Sequence, residues 1–274
     1  MTFALGPALL FCPADRPDRY AKAASVADGV ILDLEDAVGP ADKASARAAL
    51  SSVALDPSRT IVRLNPADTP DFAADLVALR GTPYRTVMLA KTASAAQVRE
   101  LAEYDVVALV ETAAGVVSAA AIAAVPNVVA LMWGADDLVA SLGGTSSRFA
   151  DGRYRDVAVH ARSTVLLAAG AHGRAAIDAV HMDIGDLSGL RDEATDAAAC
   201  GFTASACIHP SQVDVIRDAY RPAAATVAWA RGVLAAASGQ HGVFLFEGRM
   251  VDGPILRHAE QILRRQEEGP DVTR

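Results

Sequence analysis

The sequence predicts an α/β fold, a closed TIM (β/α)8 barrel with a short C-terminal extension, and three observations predict it. Eight short apolar runs recur along the chain, with Ala-rich segments of helical period between them. The runs are rich in Val, Ile and Leu without polar alternation, as expected of parallel strands covered on both faces. The chain has 274 residues, a length that suits one barrel of this kind, which takes about 250.

In order, the runs are Ala8–Cys12, Gly29–Leu34, Thr60–Leu64, Thr86–Ala90, Val106–Val110, Val128–Trp133, Ala175–Val180 and Ala204–Ile208. Helical periodicity is clearest over Arg19–Ala27, Lys43–Leu50, Ala93–Ala102, Gly115–Ala124 and Val157–Ala169. Alternation repeated eight times argues for a barrel. The alternative is a doubly wound sheet, which would place a glycine-rich phosphate loop after an early strand. Neither G-x-G-x-x-G nor G-x-x-x-x-G-K-S/T occurs. The barrel is expected over residues 1–238. Residues 239–274 follow the eighth unit, so they are expected to pack on the barrel mouth or on a neighbouring subunit. The polar tail from Gln266 to Arg274 is expected to fray.

Composition narrows the function classes. The hydrophobic fraction of 52% is mostly Ala, Val and Leu, enough to bury a large core without disulfide or metal staples. The net charge of −8 argues against a nucleic-acid partner. An anionic ligand must then be held by a few placed cations. Cys12, Cys200 and Cys207 show no ligand spacing and read as reduced thiols of a cytoplasmic protein. The apolar stretch from Phe3 to Phe11 lacks a basic flank and is broken by Gly6 and Pro7. No run is long enough to span a bilayer, so no membrane partner is expected.

Nearly every run ends on polar residues. The first leads to Asp15 and Arg16, the second to Asp33, Glu35 and Asp36, the third to Arg63 and Asn65. The fourth leads to Lys91, the fifth to Glu111 and Thr112, the sixth to Asp136 and Asp137, and the eighth to His209. In a TIM barrel these ends converge on the face where active sites sit. Most of them, taken singly, read better as a helix cap or a solvated loop residue. Glu111 and Asp137 follow neighbouring strands, and two carboxylates there can hold one hard cation, Mg²⁺, with sites left for water and substrate oxygens. No His/Cys cluster offers a softer metal a home, and the six His are scattered. Arg63 ends an apolar strand and needs an anion: Glu35, Asp36 or another strand-end carboxylate, a substrate oxygen, or both.

An ordered set of motifs then resembles a known family. The segments are Phe11-Cys12-Pro13-Ala14-Asp15-Arg16-Pro17, Ile31-Leu32-Asp33-Leu34-Glu35-Asp36-Ala37-Val38, Val62-Arg63-Leu64-Asn65 and Val110-Glu111-Thr112. They continue with Trp133-Gly134-Ala135-Asp136-Asp137-Leu138, Ile208-His209-Pro210-Ser211-Gln212 and Phe246-Glu247-Gly248-Arg249-Met250-Val251-Asp252. Together they resemble the citrate lyase beta-subunit-like proteins of the HpcH/HpaI aldolase superfamily, over nearly the whole chain. The chain looks close to the short, stand-alone mycobacterial type.

The resemblance implies Mg²⁺, a CoA thioester as substrate, and a homo-oligomer, taken as a trimer. It implies Glu111 and Asp137 as metal ligands and Arg63 as the substrate-binding arginine. Arg16 and Lys22 match contacts to CoA phosphates. Asp252 matches an aspartate on a C-terminal segment that reaches a neighbouring subunit's site, and its sequence neighbourhood, Val-Asp-Gly-Pro, has turn chemistry of its own. Three positions depart from the pattern. The family's Pro-Lys-x-Glu-Ser is Ala90-Lys91-Thr92-Ala93-Ser94 here, which leaves Lys91 without an assigned role. Asp136 stands where Glu is frequent, and Ala114 where Arg is frequent.

The activity so implied is a Mg²⁺-dependent carbon–carbon lyase that cleaves or forms a citramalyl-CoA or malyl-CoA type of 3-hydroxyacyl-CoA, with acetyl-CoA and a 2-oxoacid as the other partners. Two rivals are an aldolase on free hydroxy-oxo acids without CoA and a non-catalytic subunit of a citrate lyase-like complex.

Overall fold

The computed structural model describes residues 3, 5–240 and 242–268. The chain forms two compact units, Met1–Ile216 and Arg217–Arg274.

The first unit is the barrel. Its elements run β1 (Ala8–Pro13), α1 (Tyr20–Val26), β2 (Gly29–Asp33), α2 (Lys43–Ser52), β3 (Thr60–Leu64), α3 (Pro70–Leu79), β4 (Thr86–Leu89) and α4 (Ala95–Arg99). They continue with β5 (Asp105–Val110), α5 (Ala113–Ala123), β6 (Val128–Trp133), α6 (Ala135–Ser141), α7 (Asp156–Ala171), β7 (Ala175–Asp178), α8 (Leu187–Cys200), β8 (Ala204–Cys207) and α9 (Pro210–Tyr220), within which the boundary between the units falls. Each strand pairs in parallel with the next, and β8 closes onto β1, so the predicted closed barrel is the observed fold.

The absence of alternation in the apolar runs has its explanation in burial. Strands β2, β3, β6 and β8 are buried at every residue, with the barrel interior on one side and helices on the other. One apolar cluster draws side chains from all eight strands, among them Leu9, Ile31, Met88, Leu109, Ile177 and Ala206. Such a cluster makes the barrel a packed core rather than a pore. Chemistry is thereby confined to the strand ends.

Among the boundaries that differ from the sequence expectation, those of β7 and α4 have clear local reasons. Strand β7 stops at Asp178 rather than Val180, because the Asp178 carboxylate takes hydrogen bonds from the Ala179 N–H, Trp133 Nε1 and Arg162. Helix α4 begins at Ala95 rather than Ala93. Gln97 Oε1 accepts from the N–H groups of Ala93 and Ser94 while Ser94 Oγ accepts from Gln97 N, a reciprocal cap that fixes the start.

The second unit contains α10 (Ala224–Ala237), a hairpin of β9 (Phe244–Phe246) and β10 (Arg249–Val251), and α11 (Gly253–Glu268). Its core comprises Val227, Ala230, Val233, Val251, Ala259 and Ile262. The hairpin turns through Glu247 and Gly248, both at positive φ (48° and 74°), which matches the right-handed twist of the flanking strands. Gly232 on α10 faces the Phe246 ring, where a β-carbon would lie 2.8 Å from Cζ. Helix α11 continues through Gln266 to Glu268, where the polar composition predicts fraying. Residues 269–274 of that tail lie outside the described residues. No helix among the described residues is long and apolar enough to cross a membrane.

Candidate active site

The candidate site is built at the C-terminal ends of β2 to β6. The register places Asp33 of β2 directly beside Arg63 of β3. The Arg63 fork closes on it in two hydrogen bonds, Nε to Oδ1 at 2.7 Å and Nη2 to Oδ2 at 2.6 Å. The Arg63 Nη1 atom also lies 2.9 Å from Glu35 Oε2, an ion-pair contact without hydrogen-bond alignment. The guanidinium stacks on Phe11 with Cζ 4.9 Å from the ring centroid. Arg63 is 8% exposed. Burial alone would pull its pKa down, but Asp33 and Glu35 more than reverse that and hold it charged. Of the partners the sequence offered Arg63, Glu35 and a further strand-end carboxylate, Asp33, are the ones it meets.

A second layer fixes this corner. The Glu35 and Ala37 N–H groups donate to Asp33 at 2.8 and 3.1 Å. Lys43 Nζ donates to the Leu34 and Glu35 carbonyls and to Asn65 Oδ1. Asn65 in turn donates from N and Nδ2 to the buried Asp75, which Arg47 neutralises at 2.7 Å. Sequence reasoning did not single out Lys43, Arg47 or Asp75. The signal was weak, because each reads as an ordinary helix-surface charge until the partner from another element is known.

Glu111 at the end of β5 and Asp137 in the first turn of α6 form the other half. Glu111 is 3% exposed. Its Oε1 accepts the Lys91 N–H at 3.0 Å. Its Oε2 lies against Gly134, where a β-carbon would come within 2.7 Å. Gly134 is therefore the residue type that lets this carboxylate sit flush with the β6–α6 turn. Burial, then repulsion from Asp137, push the Glu111 carboxyl up to about 8, against the pull of Arg63. Asp137 is 39% exposed at its side chain. Its neighbour Asp136 faces elsewhere and accepts from Ser147 Oγ at 2.6 Å. Thr112 is a cap, its Oγ1 accepting from Gly115 N at 3.1 Å.

Lys91, which the sequence left without a role, joins the two halves. It is a non-glycine residue at φ +50°, a conformation that costs of order 1 kcal/mol and persists where the surroundings impose it. That turn aims its N–H at Glu111. Its Nζ makes a short contact to Glu35 Oε1 and lies 3.4 Å from Asp36 Oδ2 and 3.6 Å from Asp137 Oδ1. Burial would lower the Lys91 pKa, but the surrounding carboxylates, Glu35 foremost, raise it above the usual lysine value. Burial also raises the Glu35 carboxyl, with Arg63 and Lys91 opposing.

The remaining expected site residues are Arg16, Lys22, His209 and Asp252. Arg16 follows β1 and is bound bidentately by Asp18 at 3.1 and 3.0 Å, with its side chain 43% exposed. Lys22 lies on α1 and is exposed. His209 is exposed and pairs its Nδ1 with Ser211 Oγ at 2.7 Å. Asp252 belongs to the second unit. There Oδ1 accepts from Ile255 N at 3.3 Å and the carbonyl from Leu256 N at 3.1 Å, so it caps α11.

The donor set fits a hard divalent cation. Among the described residues no three His, Cys, Asp or Glu side chains converge into a cage. Two carboxylates with the rest of the shell left open is how Mg²⁺ is ordinarily held. A buried glutamate whose pKa is raised beside a second carboxylate gains from an added positive charge.

Comparison with known proteins agrees with this architecture. The family model for HpcH/HpaI aldolase/citrate lyase matches residues 8–210. The chain is 63% identical over 265 residues to a citrate lyase subunit beta-like protein of Mycobacterium tuberculosis, covering 97% of each. It is 34% identical over 320 residues to an L-malyl-CoA/beta-methylmalyl-CoA lyase of Cereibacter sphaeroides, covering 97% of this chain and 99% of the other. The crystal structure of CitE from M. tuberculosis in complex with magnesium, acetoacetate and coenzyme A superposes with a TM-score of 0.93. It has 62% identity and covers 97% of this chain and 99% of that one. By its sequence over nearly its full length and by its fold, this chain belongs to the HpcH/HpaI aldolase/citrate lyase family.

Proposed function

We propose that this protein is a Mg²⁺-dependent carbon–carbon lyase that cleaves or forms a 3-hydroxyacyl-CoA of the citramalyl-CoA or malyl-CoA type, with acetyl-CoA and a 2-oxoacid on the other side of the reaction. One observation carries the reading. The buried Glu111 and the half-exposed Asp137 form an under-compensated carboxylate pair beside Arg63, in a chain 62% identical to a protein crystallised with magnesium and coenzyme A.

Glu111 and Asp137 hold the cation, with the Lys91 N–H and Gly134 fixing the Glu111 carboxylate. When bound, Mg²⁺ supplies Lewis-acid charge to substrate oxygens. Arg63 is locked by Asp33, Glu35 and the Phe11 ring, so its charge is in place before substrate arrives and needs no reorganisation as oxyanions develop. In cleavage, a base takes the hydroxyl proton and the C–C bond breaks. The bonding electrons pass to the thioester as an acetyl-CoA enolate, and an acid then protonates the enolate carbon. Asp252 serves both proton steps, in its own or a neighbouring subunit of a homo-oligomer, taken as a trimer. Arg16 and Lys22 contact the CoA phosphates as exposed cations.

The test is a substrate panel with the purified protein and Mg²⁺: citramalyl-CoA, malyl-CoA, 3-hydroxy-3-methylglutaryl-CoA and free hydroxy-oxo acids. Acetyl-CoA and a 2-oxoacid should form from at least one thioester. Cleavage of the free acids alone would make it a CoA-independent aldolase. Asp252→Asn should lower kcat by roughly 10²–10⁴ with CoA affinity unchanged. Mixing it with an inactive Glu111→Ala enzyme should restore partial activity if sites are shared. A fully active Asp252→Asn enzyme would remove Asp252 from the chemistry.

A further inference from the structure

Lys91 touches the carboxylates of the site from both ends. Its N–H is committed to Glu111, and the positive φ holds that backbone in place. Its ammonium has three acidic neighbours at graded distances: Glu35 in tight contact, Asp36 at 3.4 Å and Asp137 at 3.6 Å. The side chain is 30% exposed, so the four-carbon stem has room to move. Arg63, the other cation paired with the Glu35 carboxylate, is engaged by Asp33 and Glu35 and is nearly fully buried. Lys91 is thus the movable positive charge, and it leans on a carboxylate that a divalent cation would also need.

Resting on the reading of Glu111 and Asp137 as the metal pair, we infer that Lys91 is a built-in competitor for Asp137: its ammonium weakens divalent-cation binding and withdraws onto Glu35 and Asp36 when the cation is held. Two effects act in the same direction. An oxygen that neutralises an ammonium must be given up, wholly or in part, to the incoming cation. Like charges a few ångströms apart also repel, and partial burial reduces the screening by solvent. Glu35 and Asp36 give the ammonium somewhere to go without leaving its own charge unmet. The lysine therefore tunes affinity rather than blocking the site. It is a positioning residue, and its effect is read on metal affinity.

The test is a titration of the purified full-length protein with Mn²⁺ alone, no substrate present, following the free Mn²⁺ signal by electron paramagnetic resonance. Lys91→Met should lower the Mn²⁺ Kd by roughly tenfold. Lys91→Arg, which keeps a charge of similar reach, should stay near the wild-type Kd. Thermal melts establish that each variant folds, and Lys91→Gln replaces the Met variant if that one does not. A Kd that is unchanged or higher in the folded neutral variant overturns the inference and makes Lys91 a plain structural tether. Wild-type protein that binds no Mn²⁺ sinks the metal pair itself, and the competitor role with it.

Discussion

The ends of β2–β3 and of β5–β6 carry similar residues, and the molecule treats them in opposite ways. At β2–β3 the charges of Asp33 and Arg63 are met from within the chain. Asp33 accepts from both arms of Arg63 and from two backbone N–H groups, while Lys43, Asn65, Asp75 and Arg47 close the layer behind it. At β5–β6 the carboxylates outnumber their partners. Glu111 has one backbone hydrogen bond and a pKa pushed up to about 8, and Asp137 has an ammonium no nearer than 3.6 Å. Charge met internally makes a rigid frame. Charge left over at an accessible position is what an outside cation can use. The two halves should therefore respond differently to substitution, one through stability and the other through function.

The largest effect is expected at Glu111. Glu111→Gln should reduce turnover by roughly 10³-fold or more if, as proposed, Glu111 is one of the two carboxylates that hold the cation. In buffer with a chelator its stability should equal or exceed that of wild type, because a repelled buried carboxyl is replaced by a neutral amide. A kinetic assay of acetyl-CoA release and calorimetry check the two halves of the statement. A large loss of stability would erase the contrast between the two strand ends.

Arg63 should show the reverse order of effects. Arg63→Met leaves Asp33 and Glu35 buried without their cation and should cost about 3–5 kcal/mol in urea unfolding. Arg63→Lys retains a charge and should recover most of that stability, while activity stays roughly 10²-fold down because a point charge cannot reproduce the fork. Wild-type stability in Arg63→Met would show that the frame does not depend on this pair.

A smaller effect sharpens the comparison within the β5–β6 half. Gly134→Ala puts a β-carbon against Glu111 Oε2. It should weaken Mn²⁺ binding by roughly tenfold while leaving the β2–β3 corner intact. Unchanged affinity would mean that Glu111 has more freedom than its burial indicates.

The smallest effect lies outside both halves. His181 Nδ1 pairs with Glu193 Oε2 at 2.9 Å, and Arg148 binds the same carboxylate. The hydrogen bond to Glu193 raises the His181 pKa above its ordinary 6.5, against burial. His181 and Arg148 lower the Glu193 pKa below its ordinary 4.5, overcoming burial. The His181 contribution is thus full below about pH 6.5 and is lost as pH rises through its raised value. The Glu193 contribution is present above about pH 4.5 and is lost as pH falls through its lowered value. Stability from this pair should be greatest between the two, by up to about 1 kcal/mol relative to His181→Gln. A pH-independent difference in unfolding free energy would show that the pair does not titrate as described.

How much of this was legible beforehand depended on distance along the chain. All eight strands showed as apolar runs because a parallel strand buried on both faces must be apolar at every position. Glu111 and Asp137 stood out as carboxylates closing adjacent runs. The choice of Asp33 over Asp36 for Arg63 was not readable. Asp33, Glu35 and Asp36 fall within four residues, and only the β2–β3 register puts Asp33 opposite Arg63. The role of Lys91 was hidden for a similar reason. Its turn at φ +50° and its partners after β2 and in α6 are tertiary facts, and the local pattern Ala-Lys-Thr-Ala-Ser carries no trace of them. Asp252 reads in the sequence as a catalytic aspartate and also as turn chemistry, and among its observed contacts is the cap on α11.

The central claim is that Glu111 and Asp137 together hold the cation. Its most direct measurement is anomalous diffraction from a crystal of this protein soaked in Mn²⁺. A single anomalous peak should lie at roughly 2.0–2.2 Å from an oxygen of each carboxylate, with the remaining ligands supplied by water or by added 2-oxoacid. A peak held by other side chains, or one that touches neither Glu111 nor Asp137, would contradict the account.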